Sequence, residues 1–386
     1  MKVLIASRAP FVAGGEVAAQ RLAVGLRDAG CEVALLLSDQ GDAVRTLMER
    51  AELRCLQAPL HLTDMRHWWQ YLRSRAAVRK IIIRERPDVL HANDFATHQV
   101  LAGAAQGLGI PTICHHRFFY DSAAIDWFNK FPADRHIFVS RALMDDMLPR
   151  SRSLGASSCA VVHDGLALPP PPSDEGRRRA RIRLGLPADR AVVTFAGQII
   201  ECKGVHDLLR AWALLDDDVR RRAELVLIGE DFQGGGQYRA RMQALAAELR
   251  CDARFVGFRE DVGDWLLASD LAVVPSHVEP LGNATLEAMA YGLPVIGCAV
   301  GGIPEMIAHE QTGLLIAPHN PSQLSAALDR LLRDDATRQR FGVQGRERCE
   351  THFDIRLHIH KVIDQYRRVT RRYTPTPDPD SDLVPV

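Results

Sequence analysis

Two carboxylates eight positions apart, Glu279 and Glu287, bracket the stretch of this 386-residue chain with the most chemistry in it. Between them run Pro280-Leu281-Gly282-Asn283-Ala284-Thr285-Leu286, and after them Ala288-Met289-Ala290-Tyr291-Gly292. The spacing predicts a strand over 271–275, a polar loop at Ser276 and His277, then a helix from about Asn283 that stops at Gly292. The amides of Gly282, Asn283 and Ala284 then stand at a helix N-terminus, where unpaired N–H groups and the helix dipole favour an anion such as a diphosphate. A carboxylate gains little from a phosphate; its natural partner is a sugar hydroxyl, which donates to it. Amides for a diphosphate beside carboxylates for hydroxyls describe a site for a sugar nucleotide. A second cluster, His115-His116-Arg117, closes the apolar run that starts at Ile110. It falls at the carboxyl end of a predicted strand, where open α/β sheets place ligands. Neighbours on a strand point to opposite faces, so either His115 or His116 enters a cleft, not both.

The elements that position these groups follow a repeated pattern. Residues 2–7 read as a buried strand, 11–16 (Phe-Val-Ala-Gly-Gly-Glu) as a glycine loop, and 17–29 as a helix with Ala18, Leu22, Leu26 and Ala29 on one face, closed by Gly30. A strand over 32–37 completes the opening unit of a doubly wound parallel sheet. Further strand-and-turn stretches are expected at 87–94, 110–117, 137–141 and 161–165. Pro169 to Pro172 is a stiff connector. Beyond it a basic helix (175–184), a strand at 191–197 and a loop carrying Lys203 open a second sheet, continued by strands at 225–230 and 254–258, with a flexible loop at Gly234-Gly235-Gly236. The expected organisation is a first α/β domain over 1–168, a second over 173–354, a helix over 355–372, and a disordered tail over 373–386 rich in Pro and Asp.

Residues 65–86 are predicted helical and basic, with Arg66, Arg73, Arg75, Arg79, Lys80, Arg84 and Arg86 against Glu85. Trp69, Leu72, Ala76 and Ile83 form one face, which together with Trp68 is expected to pack inward. The alternative is peripheral contact with an anionic membrane through this segment.

Formal net charge is zero, from 48 basic and 48 acidic residues, so no whole-chain field argues for nucleic acid as a partner. The eight cysteines (31, 55, 114, 159, 202, 251, 298, 349) contain no C-x-x-C pair, which argues for reduced thiols and against a zinc cluster. The first apolar run is too short for a signal peptide, and no segment approaches the roughly 20 apolar residues of a membrane span. The expected location is cytoplasmic, peripheral at the inner membrane face at most. The acidic triplet Asp216-Asp217-Asp218 and the pair Asp378 and Asp380 read as solvated, not as metal sites. The motifs G-x-G-x-x-G, G-x-S-x-G and the Walker loop are all missing, which disfavours a dinucleotide cofactor, an α/β-hydrolase and a P-loop enzyme.

The Glu279 to Gly292 stretch, with Pro and Gly after the first Glu and Ala-Met-Ala after the second, resembles the signature of the retaining nucleotide-sugar glycosyltransferases of family 4. The likeness extends over nearly the whole chain. It implies the GT-B architecture: two Rossmann-like parallel-sheet domains facing across a cleft, with a C-terminal helix crossing back to the first. It implies transfer of a sugar of glucose or N-acetylglucosamine type from a nucleoside diphosphate donor, UDP above all, to a hydroxyl of a glycan, glycolipid or natural product. Anomeric configuration would be retained, and no metal or other cofactor is expected. By the same resemblance Glu287 holds the ribose and Glu279 the donor sugar, while Lys203, Gln198 and the amides of Gly282, Asn283 and Ala284 face the diphosphate. Val256 and Phe258 hold the base through backbone groups, and Gly15 faces the donor phosphate. His116, or else His115, orients the sugar, and Glu16, His91, Asp94, His115 and Arg117 lie on the acceptor side. The chain departs from the family pattern in three places. Gln198 stands where an Arg is usual, and Asp164-Gly165 where Asn-Gly is usual. The usual histidine sits one position further from the proline than His116 does from Pro111. A nucleotide-sugar epimerase and a non-catalytic partner subunit are the alternatives on the same fold.

Overall fold

The structure, a computed structural model, describes residues 1–62, 67–232 and 234–373. The chain forms two compact units. Met1–Gly165 together with the chain from Ile355 makes the first, and Leu166–Asp354 the second.

The first unit is built on seven strands: β1 (Lys2–Ser7), β2 (Glu32–Ser38), β3 (Arg54–Ala58), β4 (Val89–Ala92), β5 (Thr112–His116), β6 (Arg135–Phe138) and β7 (Cys159–Val161). All pair in parallel, in the order β3-β2-β1-β4-β5-β6-β7. The second unit has β8 (Ala191–Ala196), β9 (Ala223–Ile228), β10 (Ala253–Gly257), β11 (Leu271–Val274), β12 (Val295–Cys298) and β13 (Gly313–Ile316), again all parallel, in the order β10-β9-β8-β11-β12-β13. Each order reverses direction between the unit's first and fourth strands. The loops leaving the carboxyl ends of β1 and β4, and of β8 and β11, therefore diverge there, which is where such sheets bind ligands.

The strands are continuous apolar runs because both faces are covered. Val3 and Ile5 pack with Leu22 and Leu26 of helix Gly14–Asp28 and with Ile359 and Tyr366 of helix Ile355–Tyr373. Leu4 and Ala6 face Val78, Ile82, Val100 and Leu101 on the other side. In the second unit Val193, Phe195 and Leu227 pack with Leu208, Trp212 and Leu328, while Val192, Val226 and Ile228 pack with Ala180 and Trp265. The last helix therefore belongs to the first unit although the chain reaches it from the second.

Several expectations are corrected. The first helix begins at Gly14, not Val17, because the Glu16 carboxylate accepts from the Ala13 amide (3.2 Å) and so stabilises a turn earlier. Strand β6 ends at Phe138 and β7 at Val161, which leaves Asp164 in a loop. The basic helix spans Trp68–Glu85; Met65 and Arg66 lie outside the described residues. Its buried positions are Ser74, Val78, Ile82 and Glu85, whereas Trp68 (61%), Trp69 (45%), Leu72 (44%) and Ile83 (54%) are exposed. The face is turned because two buried polar groups have partners: Glu85 binds Arg54 through two bonds (2.7 and 2.9 Å), and Ser74 Oγ accepts from His61 N (3.1 Å). Near the glycine triplet, Asp231 accepts from Gly234 N (2.7 Å) and Tyr238 N (2.8 Å), fixing a turn where a flexible loop was expected. Helix Asp335–His352 was not anticipated. Pro169 to Pro172 lies inside the second unit, and from residue 374 the expected tail lies outside the described residues. All eight cysteines are free thiols. Among the described residues no helix is long and apolar enough to cross a membrane.

Candidate active site

In the second unit the loop after β8 ends in a 3-10 turn, Glu201–Lys203, followed by Gly204 in the left-handed region (φ 68°). A Cβ at Gly204 would lie 2.0 Å from Pro275 O, so only glycine lets this turn press against the loop leaving β11. The contact delivers Lys203 Nζ to Glu279 Oε2 at 2.6 Å, and Ser276 Oγ donates to the same oxygen at 3.2 Å. Glu279 is buried and held from behind, since Gly302 N donates to its carbonyl (3.1 Å). Three residues on, Gly282 (φ 105°) caps helix Asn283–Ala290 without any side-chain cap. A Cβ there would meet Met306 Cε at 2.8 Å. The first-turn amides of Asn283 and Ala284 thus lie at a helix terminus with no side-chain cap, beside a part-buried lysine–carboxylate pair.

Glu287 lies one turn along the same helix and is half-buried. Gln198, Val256 and Phe258 leave the same carboxyl edge of the sheet. Gln198 precedes Ile199, whose amide binds Glu230 O (3.0 Å), and the exposed Phe258 meets Phe232 edge to face at 5.5 Å.

In the first unit the groups after β1, β4 and β5 form one buried network around Arg117. Its Nη1 donates to both oxygens of Asp164 (2.9 and 2.7 Å), its Nε to Asn93 Oδ1 (2.9 Å), and its Nη2 lies 3.3 Å from His115 Nδ1. Asn93 Nδ2 in turn donates to Gly15 O (3.1 Å). His91 Nε2 stands 3.3 Å from the same His115 Nδ1, and Tyr366 Oη 2.8 Å from His91 Nδ1. A guanidinium can only donate, so His115 Nδ1 accepts and His115 carries its proton on Nε2. His91 then donates from Nε2 and accepts from the Tyr366 hydroxyl at Nδ1. Burial pushes His91 down to about 3 and His115 well below its ordinary value, so both are neutral, and it pushes the Tyr366 hydroxyl up.

His116 points the other way. Its Nε2 lies 3.2 Å from His136 Nδ1, its ring stacks on Phe138 at 4.4 Å, and Tyr120 stands edge-on to it. Both histidines are fully buried. The carboxylates of Glu16 and Asp94 are already engaged: Glu16 with Ala13 N and Ser7 Oγ (3.5 Å), Asp94 with Thr97 N (2.7 Å) and Thr97 Oγ1 (2.9 Å) as a helix cap. Burial raises the pKa of both.

The structure therefore brings Lys203, Glu279, Gly282, Asn283, Ala284 and Glu287 onto one loop–helix element with its neighbouring turn. It brings Gly15, His91, His115 and Arg117 into one network. His116 and Asp94 stand outside that network. Sequence reasoning missed Ser276, Asn93, Asp164 and Tyr366 as members. Asp164 did carry a signal, as a departure from the family's Asn-Gly.

Comparison with known proteins gives the family. Residues 12–168 match the family described as Glycosyltransferase Family 4, and residues 176–348 match Glycosyl transferases group 1. A D-inositol 3-phosphate glycosyltransferase of Nocardioides sp. is 31% identical over 310 residues, covering 73% of this chain and 67% of that protein. One from Streptomyces bingchenggensis is 36% identical over 220 residues, covering 54% and 48%. The chain spans about half the length of most of the curated relatives it matches. Among solved structures, Anabaena HepE in complex with UDP and glucose is similar with a TM-score of 0.84 at 22% identity, covering 95% of this chain and 99% of that one. Sucrose-phosphate synthase from Thermosynechococcus elongatus gives 0.81 at 22%, covering 96% and 100%. These likenesses show the fold. Together with the matched family patterns and the Nocardioides relative, they identify the chain as a member of the family 4 glycosyltransferases, with the GT-B architecture.

Proposed function

We propose that this chain transfers a sugar of glucose or N-acetylglucosamine type from a UDP-sugar to an acceptor hydroxyl, with retention of anomeric configuration. The observation that carries the reading is the Lys203–Glu279 pair at 2.6 Å, set beside the uncapped terminus of helix Asn283–Ala290. A leaving diphosphate gathers negative charge as the glycosidic bond breaks. The Lys203 ammonium and the helix amides stand on adjoining loops and meet that charge, with Lys203 turning from Glu279 to the phosphate as the donor binds. They supply the positive charge that Mg2+ supplies elsewhere, so the donor is held without a divalent cation on its phosphates. Glu279 binds donor-sugar hydroxyls and steadies the cationic sugar, while Glu287 accepts from the ribose. Gln198 donates one uncharged hydrogen bond to the diphosphate, and backbone groups of Val256 and Phe258 hold the base. In the first unit the face carrying His115, Asn93 and Arg117 serves the acceptor side, because it gathers where β4 and β5 end, the edge at which such sheets bind ligands. His116 or His115 orients the sugar. The choice of UDP and of a glucose-type sugar is supported by Anabaena HepE, described with UDP and glucose. The acceptor is a hydroxyl of a glycan, glycolipid or natural product. The relatives named for D-inositol 3-phosphate extend that range to a small phosphorylated polyol.

Thermal unfolding of the full chain with UDP, GDP and ADP tests the donor site. A nucleotide at a hundredfold excess over its dissociation constant stabilises by about 2.7 kcal/mol. UDP is expected to raise the midpoint by the same margin with and without EDTA, whatever EDTA does to the midpoint of the free protein, and Glu287→Ala to shrink that margin. No shift with any nucleotide would overturn the proposal.

A further inference from the structure

A second constellation in the second unit is not used by the transfer chemistry. His277 Nε2 lies 2.8 Å from Asp207 Oδ2, and His206 Nε2 lies 3.5 Å from Asp207 Oδ1. One ligand atom from each of the three residues falls within 4.8 Å of the others. Tetrahedral zinc, with Zn–N and Zn–O bonds of about 2.0–2.2 Å, needs its ligand atoms about 3.3 Å apart. The separations of 2.8 and 3.5 Å bracket that value. Two imidazoles and one carboxylate are also the donor set that zinc and its neighbours in the first transition row accept.

Three further features suit a metal. The far nitrogen of His206, Nδ1, is held by the Tyr238 hydroxyl at 2.7 Å, the outer hydrogen bond that fixes the ring of a ligating histidine. His277 is packed in place, with the His319 ring 3.6 Å from its own and its amide donating to Cys202 O at 2.8 Å. His206 and Asp207 lie in the first turn of helix Val205–Ala213, and the half-buried His206 leaves an approach from solvent. A rival cluster, Cys114, His116 and His136, is buried on all three members, so an ion has no entry path to it.

We propose that His206, Asp207 and His277 form a site for a divalent transition metal, zinc by preference, with water completing the coordination. The metal clamps the turn carrying Lys203 to the loop carrying Ser276 and Glu279, because Asp207 and His206 follow the first and His277 begins the second. It touches no reacting atom. The proposal is independent of the sugar or acceptor used.

Chelator-treated full-length protein titrated with Co2+ provides the test, read by visible d–d absorption and then by displacement with Zn2+. One equivalent is expected to bind saturably and to raise the unfolding midpoint. Asp207→Asn and His277→Gln should each weaken binding at least tenfold, and Tyr238→Phe roughly 10- to 100-fold as an outer-shell loss. His206→Gln is the variant to read if either of those substitutions fails to fold. Cys114→Ser should change nothing. Absence of saturable binding would overturn the site, as would binding that survives His206→Gln. A thiolate-to-cobalt charge-transfer band lost in Cys114→Ser would place the ion in the rival cluster and overturn it equally.

Discussion

Arg117 shows what a single residue decides in this molecule. A buried guanidinium is tolerated only if its charge and its donors are matched, and here Asp164 supplies the charge while Asn93 and His115 take the remaining bonds. The pair also explains a departure visible in the sequence. An Asn at position 164 would leave the cation without a counter-charge, so Asp164 and Arg117 belong together. Because Arg117 is neutralised in this way, it is not spare charge for an anionic acceptor. Asp164→Asn should therefore cost about 3–5 kcal/mol of stability in urea unfolding, the usual penalty for removing one partner of a buried pair. Arg117→Met combined with Asp164→Asn should recover part of that loss, since the double variant no longer buries an unpaired cation. A double variant less stable than the sum of the single ones would refute the coupling.

Helix Ile355–Tyr373 is the element on which the first unit closes, and it seats through one glycine. A Cβ at Gly25 would lie 2.5 Å from Ile359 Cγ1 and 2.6 Å from Ile359 Cδ1, so the Ile359 side chain rests directly on the backbone at Gly25. Gly25→Leu should destabilise by about 1–3 kcal/mol or more through overpacking, and Ile359→Ala in the same chain should relieve it. Denaturant midpoints of the single and double variants measure this. The same helix delivers Tyr366 to His91, so its seating reaches the histidine network. Elements of this kind divide cleanly into what the sequence discloses and what it hides. The buried strands were legible because both faces are apolar, and the Glu279 to Glu287 site because its parts lie within one loop and one helix. Helix Trp68–Glu85 misled because its buried stripe includes Ser74 and Glu85, whose partners His61 and Arg54 lie well outside the helix. The Arg117 network was hidden for the same reason: Asn93 is 24, Asp164 47 and, from His91, Tyr366 275 positions away. Local periodicity contains no record of such pairings.

At the scale of the whole molecule, zero formal charge conceals an uneven distribution of titrating groups. The first unit buries His91, His98, His115, His116, His136 and His358, and burial lowers all six, His91 and His136 to about 3 and His98 to about 4. In the second unit His206 is lowered, and it is only half-buried. Each of the six is neutral when folded and takes up a proton near pH 6.5 when unfolded. The unfolded state therefore binds more protons below that pH. The stability these groups contribute is whole above about pH 6.5 and is lost as the pH falls toward their folded values. Each histidine contributes a slope of up to about 1.4 kcal/mol per pH unit in that window. Glu16 and Asp94, raised by burial, oppose the trend, but they are two groups against six. Urea unfolding between about pH 8 and pH 5 should show stability nearly flat at first and then falling steeply. Hydrogen exchange should show the amides of β4, β5 and β6 losing protection before those of β8, β9 and β11. Equal loss in both units would mean that ordinary surface titration, not the buried histidines, sets the acid limit. Stability that held level down to about pH 5 would show that the unfolded chain does not take up these protons.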